Sequence, residues 1–188
     1  MVEAAPAPGD QPMMVRDCLL RQFDLGWRLA AHHLGGLDMA TCLWRPAPHG
    51  LHVTPVAGGW AGEWPVTESY SLGPSSLAWL IWHWGYWLSM AIDHNFGPGE
   101  CDRHRVIMPG DSDAMQAWLK DLAQSWRSRV AALPEAKWQA TTHSRWPFQG
   151  RPFADILAWS NMELMKSAAE IGYVRFLHSA GRLTRSCG

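Results

Sequence analysis

The sequence predicts an all-α fold: a four-helix bundle with a long structured loop between its first and second helices. Three observations lead there. Four stretches carry apolar residues at the 3.6-residue period of an amphipathic helix, no stretch shows a convincing strand pattern, and clusters of Gly and Pro punctuate the spaces between the four. The chain has 188 residues, 47% of them hydrophobic and 18% charged, which is enough for one domain with a proper core. Helices of this kind bury their apolar stripes against one another.

Residues 1–12, a Pro/Ala-rich stretch, read as a flexible leader with neither the basic nor the apolar region of a signal peptide. The bundle spans 13–180, and 181–188 form a tail. The first helix runs from Met13 to Leu34, with Leu19, Leu20, Phe23, Trp27, Ala30, Ala31 and Leu34 on one face and Gly35-Gly36 as its stop. Asp24 falls at the edge of that face, as a half-exposed surface acid. From Leu37 to Gly73 the period is lost among prolines and glycines, and the pattern predicts a long loop with a short hairpin near His49 and Val56. His49 and His52, three apart around a glycine, read as a solvated turn in preference to a metal pair. The second helix opens at Ser75 or Ser76 and runs to about Asn95, where Phe96-Gly97-Pro98-Gly99 stops it. Asp111, Ser112 and Asp113 cap the third, which carries Met115, Trp118, Leu119, Leu122, Trp126, Val130 and Leu133 inward and ends at Pro134. The fourth starts near Pro152 and runs to about Ser179.

Composition excludes several classes of function. The formal net charge is -1 and the Lys and Arg residues are scattered, so the chain lacks the basic footprint of a nucleic-acid-binding surface. No apolar segment reaches the ~18 residues that span a bilayer, and a cytoplasmic location is expected. Cys18, Cys42, Cys101 and Cys187 form no CxxC pair and read as free thiols, none in a setting that would make it a nucleophile.

The chemistry concentrates on two helices. In the second, Trp79, Leu80, His83, Tyr86, Trp87 and Met90 share about a third of the helical circumference, which sets a histidine in an aromatic stripe. A core histidine with a single hydrogen bond and a metal ligand or general base both fit that position. In the fourth helix, Glu163 and Glu170 fall inside the apolar arc, only ~20° apart, with Lys166 at its edge. Buried carboxylates need a partner. Either Lys166 pairs with both in a partly buried ion network, whose loss would cost several kcal/mol, or a carboxylate and His83 hold a divalent ion across the bundle.

The segments TCLWRPAP, SLAWLIWHWGYW and EIGYVRFL resemble the DinB/YfiT-like superfamily over most of the chain. The resemblance implies a four-helix bundle, usually a homodimer, with a divalent Zn or Ni ion held by three side chains around a small-molecule pocket. One ligand is a histidine of the second helix, which matches His83. The other two form an H-x-x-x-H pair two residues before a glycine. Gly172 matches that glycine, so the pair falls on Lys166 and Glu170. Relatives are S-transferases or isomerases that use a low-molecular-weight thiol, among them a mycothiol-dependent maleylpyruvate isomerase. The resemblance implies His83 and Glu170 as metal ligands, and the residues themselves add Glu163, one turn before Lys166, as a substitute third, with Trp79, Tyr86, Trp87 and Lys166 as pocket residues. With a lysine where a ligand belongs, two readings stand: a rearranged metal site, or a metal-free ligand-binding or dimerisation bundle in which Lys166 takes the ion's place.

Overall fold

The computed structural model describes residues 15–67 and 69–186, the last five of these for their backbone only. Six helices and one two-stranded sheet follow in the order α1 (Val15–Leu34), α2 (Met39–Leu43), β1 (Val53–Val56), β2 (Gly59–Gly62), α3 (Leu77–Phe96), α4 (Ser112–Ala131), α5 (Glu135–Trp138) and α6 (Phe153–Ser186). Met13 and Met14, read as the start of the first helix, lie outside the described residues, as do the leader and Cys187. Among the described residues no helix is long and apolar enough to cross a membrane.

Each of the four long helices packs on two others. α1 lies along α6 and touches α4, and α3 touches both α4 and α6. The apolar faces read from the sequence meet in a single core, where Trp82, Trp84, Trp126, Trp138 and Phe153 are almost fully buried. Polar ties fix the helices at its edges. Arg127 of α4 makes a bidentate pair with Asp24 of α1, at 3.1 and 3.0 Å, and Asn161 of α6 donates to the Leu19 carbonyl of α1 at 2.9 Å. Arg175 of α6 donates to the His33 and Gly35 carbonyls, closing the open C-terminal end of α1.

Caps explain where the helices begin. Ser76 accepts from the Trp79 amide at the start of α3, Asp111 from the Ala114 amide at the start of α4, and Asp38 from the Thr41 amide at α2.

Four features depart from the sequence reading. The hairpin expected near Val56 forms as a two-stranded antiparallel sheet, with Val53 opposite Gly62, and what departs is the class: the fold is mostly helical and not all-α. The short helix α2 was not marked by any period. α6 continues to Ser186 through residues assigned to a tail, because nothing in Arg182–Ser186 breaks a helix. And His52 is no solvated turn. It is 9% exposed and shares a hydrogen bond of 2.7 Å with the Ser76 hydroxyl.

That last contact ties the sheet to α3. The His52 amide donates to the Glu63 carboxylate at 3.0 Å, the Glu63 amide returns to the His52 carbonyl at 2.9 Å, and the Trp79 indole donates to the Glu63 carbonyl at 2.7 Å. Gly62 lies flat against the Trp82 ring, where a Cβ would come within 1.9 Å of Cε3. On the other side β2 is held to the loop before α4 by reciprocal bonds between Trp60 and Met108.

Candidate functional site

These ties set the 51–75 segment over α3 and α6, and the space between them is a cavity of about 760 Å³. One wall is loop: Leu51, Trp64, Tyr70 and Ser75. The other is helix: Trp79, His83 and Trp87 from successive turns of α3, and Glu163 and Lys166 from α6. The spacing of four on α3 stacks these three side chains on one face.

The aromatic walls brace one another. Trp79 stacks on His83 with ring centroids 4.5 Å apart and planes 13° from parallel, and Trp87 meets His83 edge-on at 5.6 Å. Trp64 closes over Tyr86 at 5.1 Å, with the Arg103 guanidinium 4.8 Å above its ring. Behind Trp87 stands Trp146, at 4.9 Å. Trp146 is anchored by Asn95, whose side chain donates to the Trp146 carbonyl at 2.8 Å and accepts from the Arg145 amide at 3.0 Å.

His83 is not a free ligand. The Trp87 indole nitrogen, one turn on, donates to its Nε2 at 2.9 Å. Burial, with a smaller contribution from the Lys166 charge, pushes the imidazole down to about 3, so it is neutral at pH 7. On α6 the Lys166 ammonium lies 3.6 Å from a Glu163 oxygen and 3.9 Å from a Glu170 oxygen, the i−3 and i+4 partners of the ion-network reading. The Glu163 oxygen, Oε2, is buried without a hydrogen bond. Burial raises the Glu170 carboxyl above its usual range, opposed by Lys166 and assisted by Glu163.

Of the residues singled out from the sequence, His83, Trp79, Trp87, Glu163 and Lys166 thus surround one cavity. Two do not. Tyr86 is 8% exposed and supports the wall from behind, stacked on Trp82. Glu170, read as facing inward, has 42% of its side chain exposed and lies beyond the cavity. Seven residues of helix put it about 10 Å from Glu163 along the axis. Trp64 and Tyr70 were missed, because loop residues carry no period. The length of the loop was the available signal.

Three donors that converge on one point are the minimum for the implied ion. Among the described residues no three His, Cys, Asp or Glu side chains are grouped in that way. The His83 Nε2 lone pair is taken by Trp87, and an ammonium sits between the two carboxylates. In this arrangement His83, Glu163 and Glu170 do not fit a bound Zn or Ni.

Gly172, the marker of the C-terminal motif, has a packing role. A Cβ there would lie 2.7 Å from Nε2 of His33, so the glycine admits that ring of α1 against α6. None of the described cysteines lines the cavity. Burial pushes Cys42 up to about 12 and raises Cys101 as well, which keeps both protonated, and Cys18 is exposed on α1 away from the cavity.

Helices, loop and cavity together define a mostly helical scaffold with a cavity between its covering segment and two of its long helices. A family profile described as the DinB superfamily matches residues 22–171, and the chain belongs to that superfamily. No curated protein and no solved structure gives a match.

Proposed function

We propose that the chain is a DinB-type four-helix bundle that binds a small molecule between the 51–75 segment and α3/α6 without a metal, with Lys166 supplying the positive charge. The observation that carries this reading is the Lys166 ammonium lying between Glu163 and Glu170, the positions where a cation would be held. The cavity's mix of aromatic walls and a few polar groups is what small-molecule sites share.

A second reading is thiol-dependent transfer or isomerisation, with Zn or Ni and a cosubstrate such as mycothiol. Family membership and the place of His83 in the cavity favour it. It requires Trp87 to release Nε2 and Lys166 to swing out along its flexible stem. In either case a homodimer in the cytoplasm is the expected form. Support for the dimer is the exposed apolar row Met162, Met165, Tyr173 and Phe176 on α6, with Leu25 and Leu29 exposed on α1.

Elemental analysis of protein purified without a metal-affinity step separates the two. The metal-independent reading expects well under one divalent ion per chain and a melting temperature unmoved by chelator. About one tightly held ion per chain, lost with stability on chelation, overturns it.

A further inference from the structure

The outward face of α6 carries a row of apolar residues spaced the same in both directions. Its midpoint is Ala169, which is exposed. Met165 and Tyr173 lie four residues to either side of it, Met162 and Phe176 seven, and Ala158 and Ala180 eleven. At 100° per residue all of them fall within an arc of about 80°. None is buried, and the four large side chains are 43–70% exposed. The core takes a different side of the helix, through Leu157, Leu164, Ile171 and Val174, so packing within the chain does not account for the row.

A row with this symmetry fits an inverted copy of itself. Antiparallel pairing of two α6 helices about a two-fold axis through Ala169 sets Met165 against Tyr173, Met162 against Phe176 and Ala158 against Ala180, each contact made twice. The small Ala169 at the crossing lets the backbones approach, and every methionine of the row meets an aromatic ring. The charges agree as well. Lys166 and Glu170 follow the row along one flank, three residues before its midpoint and one after it. Inversion brings each Lys166 within about 3 Å, measured along the axis, of Glu170 in the other copy, so opposite signs meet. On the opposite flank α1 runs parallel to α6, since Gln22 meets Asn161, Gly26 meets Leu164 and His33 meets Gly172 in turn. That order sets the exposed Leu29 level with the crossing.

We infer that this face of α6 docks a second copy of the same chain, in an antiparallel α6–α6 contact centred on Ala169. The area is sufficient. The four large side chains leave on the order of 500 Å² uncovered, so two copies bury about 1,000 Å², the threshold of a specific interface, before Leu25 and Leu29 of α1 add to it. A partner of unrelated sequence would have no need of a row that matches its own reverse. The inference rests on the homodimer expected above and specifies its interface.

The test combines light scattering on the size-separated full chain, loaded from about 5 to 200 µM, with disulfide trapping. Wild type is expected at twice the mass of the chain. Ala169→Arg, and the milder Tyr173→Ser, should raise the dissociation constant at least about tenfold with helical content unchanged, because both positions are exposed. In a Cys18→Ser, Cys101→Ser, Cys187→Ser background, Ala169→Cys should form an intermolecular disulfide on mild oxidation, since the axis sets the two copies of that residue face to face. Asp121→Cys, on the exposed side of α4, should not link. A dimer that Ala169→Arg and Tyr173→Ser leave intact, or in which Ala169→Cys does not link, overturns the inference and leaves a homodimer standing. A monomer across the whole concentration range overturns the inference and the expected homodimer together.

Discussion

Trp87 donates its indole hydrogen to Nε2 of His83 over 2.9 Å, one turn along the same helix. A bond of this kind, made wholly within α3, does not depend on a ligand to form, and it consumes the lone pair that a metal or an acid–base role would need.

Removal of that donor is the most direct probe. Trp87→Phe should cost about 1–2 kcal/mol, since it leaves a partly buried acceptor unpaired while keeping most of the ring packing. It should also free His83 to exchange tautomers. Urea unfolding and nitrogen chemical shifts of His83 read the two effects. A variant as stable as the wild type with an unchanged tautomer would show that the indole is not what holds the ring.

The depressed His83 pKa makes a prediction about acid. Its folded value, about 3, lies below the value of 6.5 that it has when unfolded, so the unfolded chain binds more protons between those limits. Stability is therefore full above pH 6.5 and falls as the pH drops toward 3. One such group contributes a slope of at most about 1.4 kcal/mol per pH unit. His33, His52 and His143 are lowered by burial too and act with the same sign, whereas the raised Glu170 opposes them at the acid end. Urea midpoints from pH 7.5 to 4 should give a shallower slope in His83→Gln than in the wild type, by about one proton. Parallel slopes would contradict the burial of that ring.

Lys166→Met tests the ion network. The sequence reading, with both carboxylates inside, expects a loss of several kcal/mol. The structure lowers that figure, because the side chains of Lys166 and Glu170 are 49% and 42% exposed and solvent screens the pair. The expected loss is about 1 kcal/mol or less, shrinking further in high salt. A loss of several kcal/mol that salt does not change would mean that the charges are shielded from water.

Gly62→Ala should destabilise by roughly 1–3 kcal/mol, because a Cβ there overlaps the almost fully buried Trp82 ring. Trp64 lies two residues on, so the same change should loosen one wall of the cavity and alter tryptophan emission. Thermal unfolding and an emission spectrum are sufficient to check it. An Ala variant of full stability would mean that the sheet can lift from α3 at little cost.

The four long helices were legible in the sequence because their apolar periods, caps and stops agree, from Ser76 and Asp111 at the starts to Pro134 after α4. The helical half of the cavity was legible for the same reason, since His83, Trp79 and Trp87 follow from one period. What failed were properties set by partners distant in sequence. Burial of His52 depends on Ser76, 24 positions away. The exposure of Glu170 depends on what packs against α6 beyond the cavity, and a helical wheel contains no information on that. The role of Trp64 depends on Tyr86 and Arg103. Nor does any pattern reveal that an indole would claim the histidine's lone pair, although the i, i+4 spacing of His83 and Trp87 permits it.

The pairing of α1 with α6 has a consequence for how the protein is made. Leu20, Phe23, Ala30 and Leu34 of α1 belong to the core, yet the helix along which α1 lies begins about 120 residues after α1 ends. On a ribosome adding ~5–20 residues per second, α1 waits on the order of ten seconds with its apolar face uncovered. The face that α1 presents to α6 stays open on the nascent chain until α6 has been made.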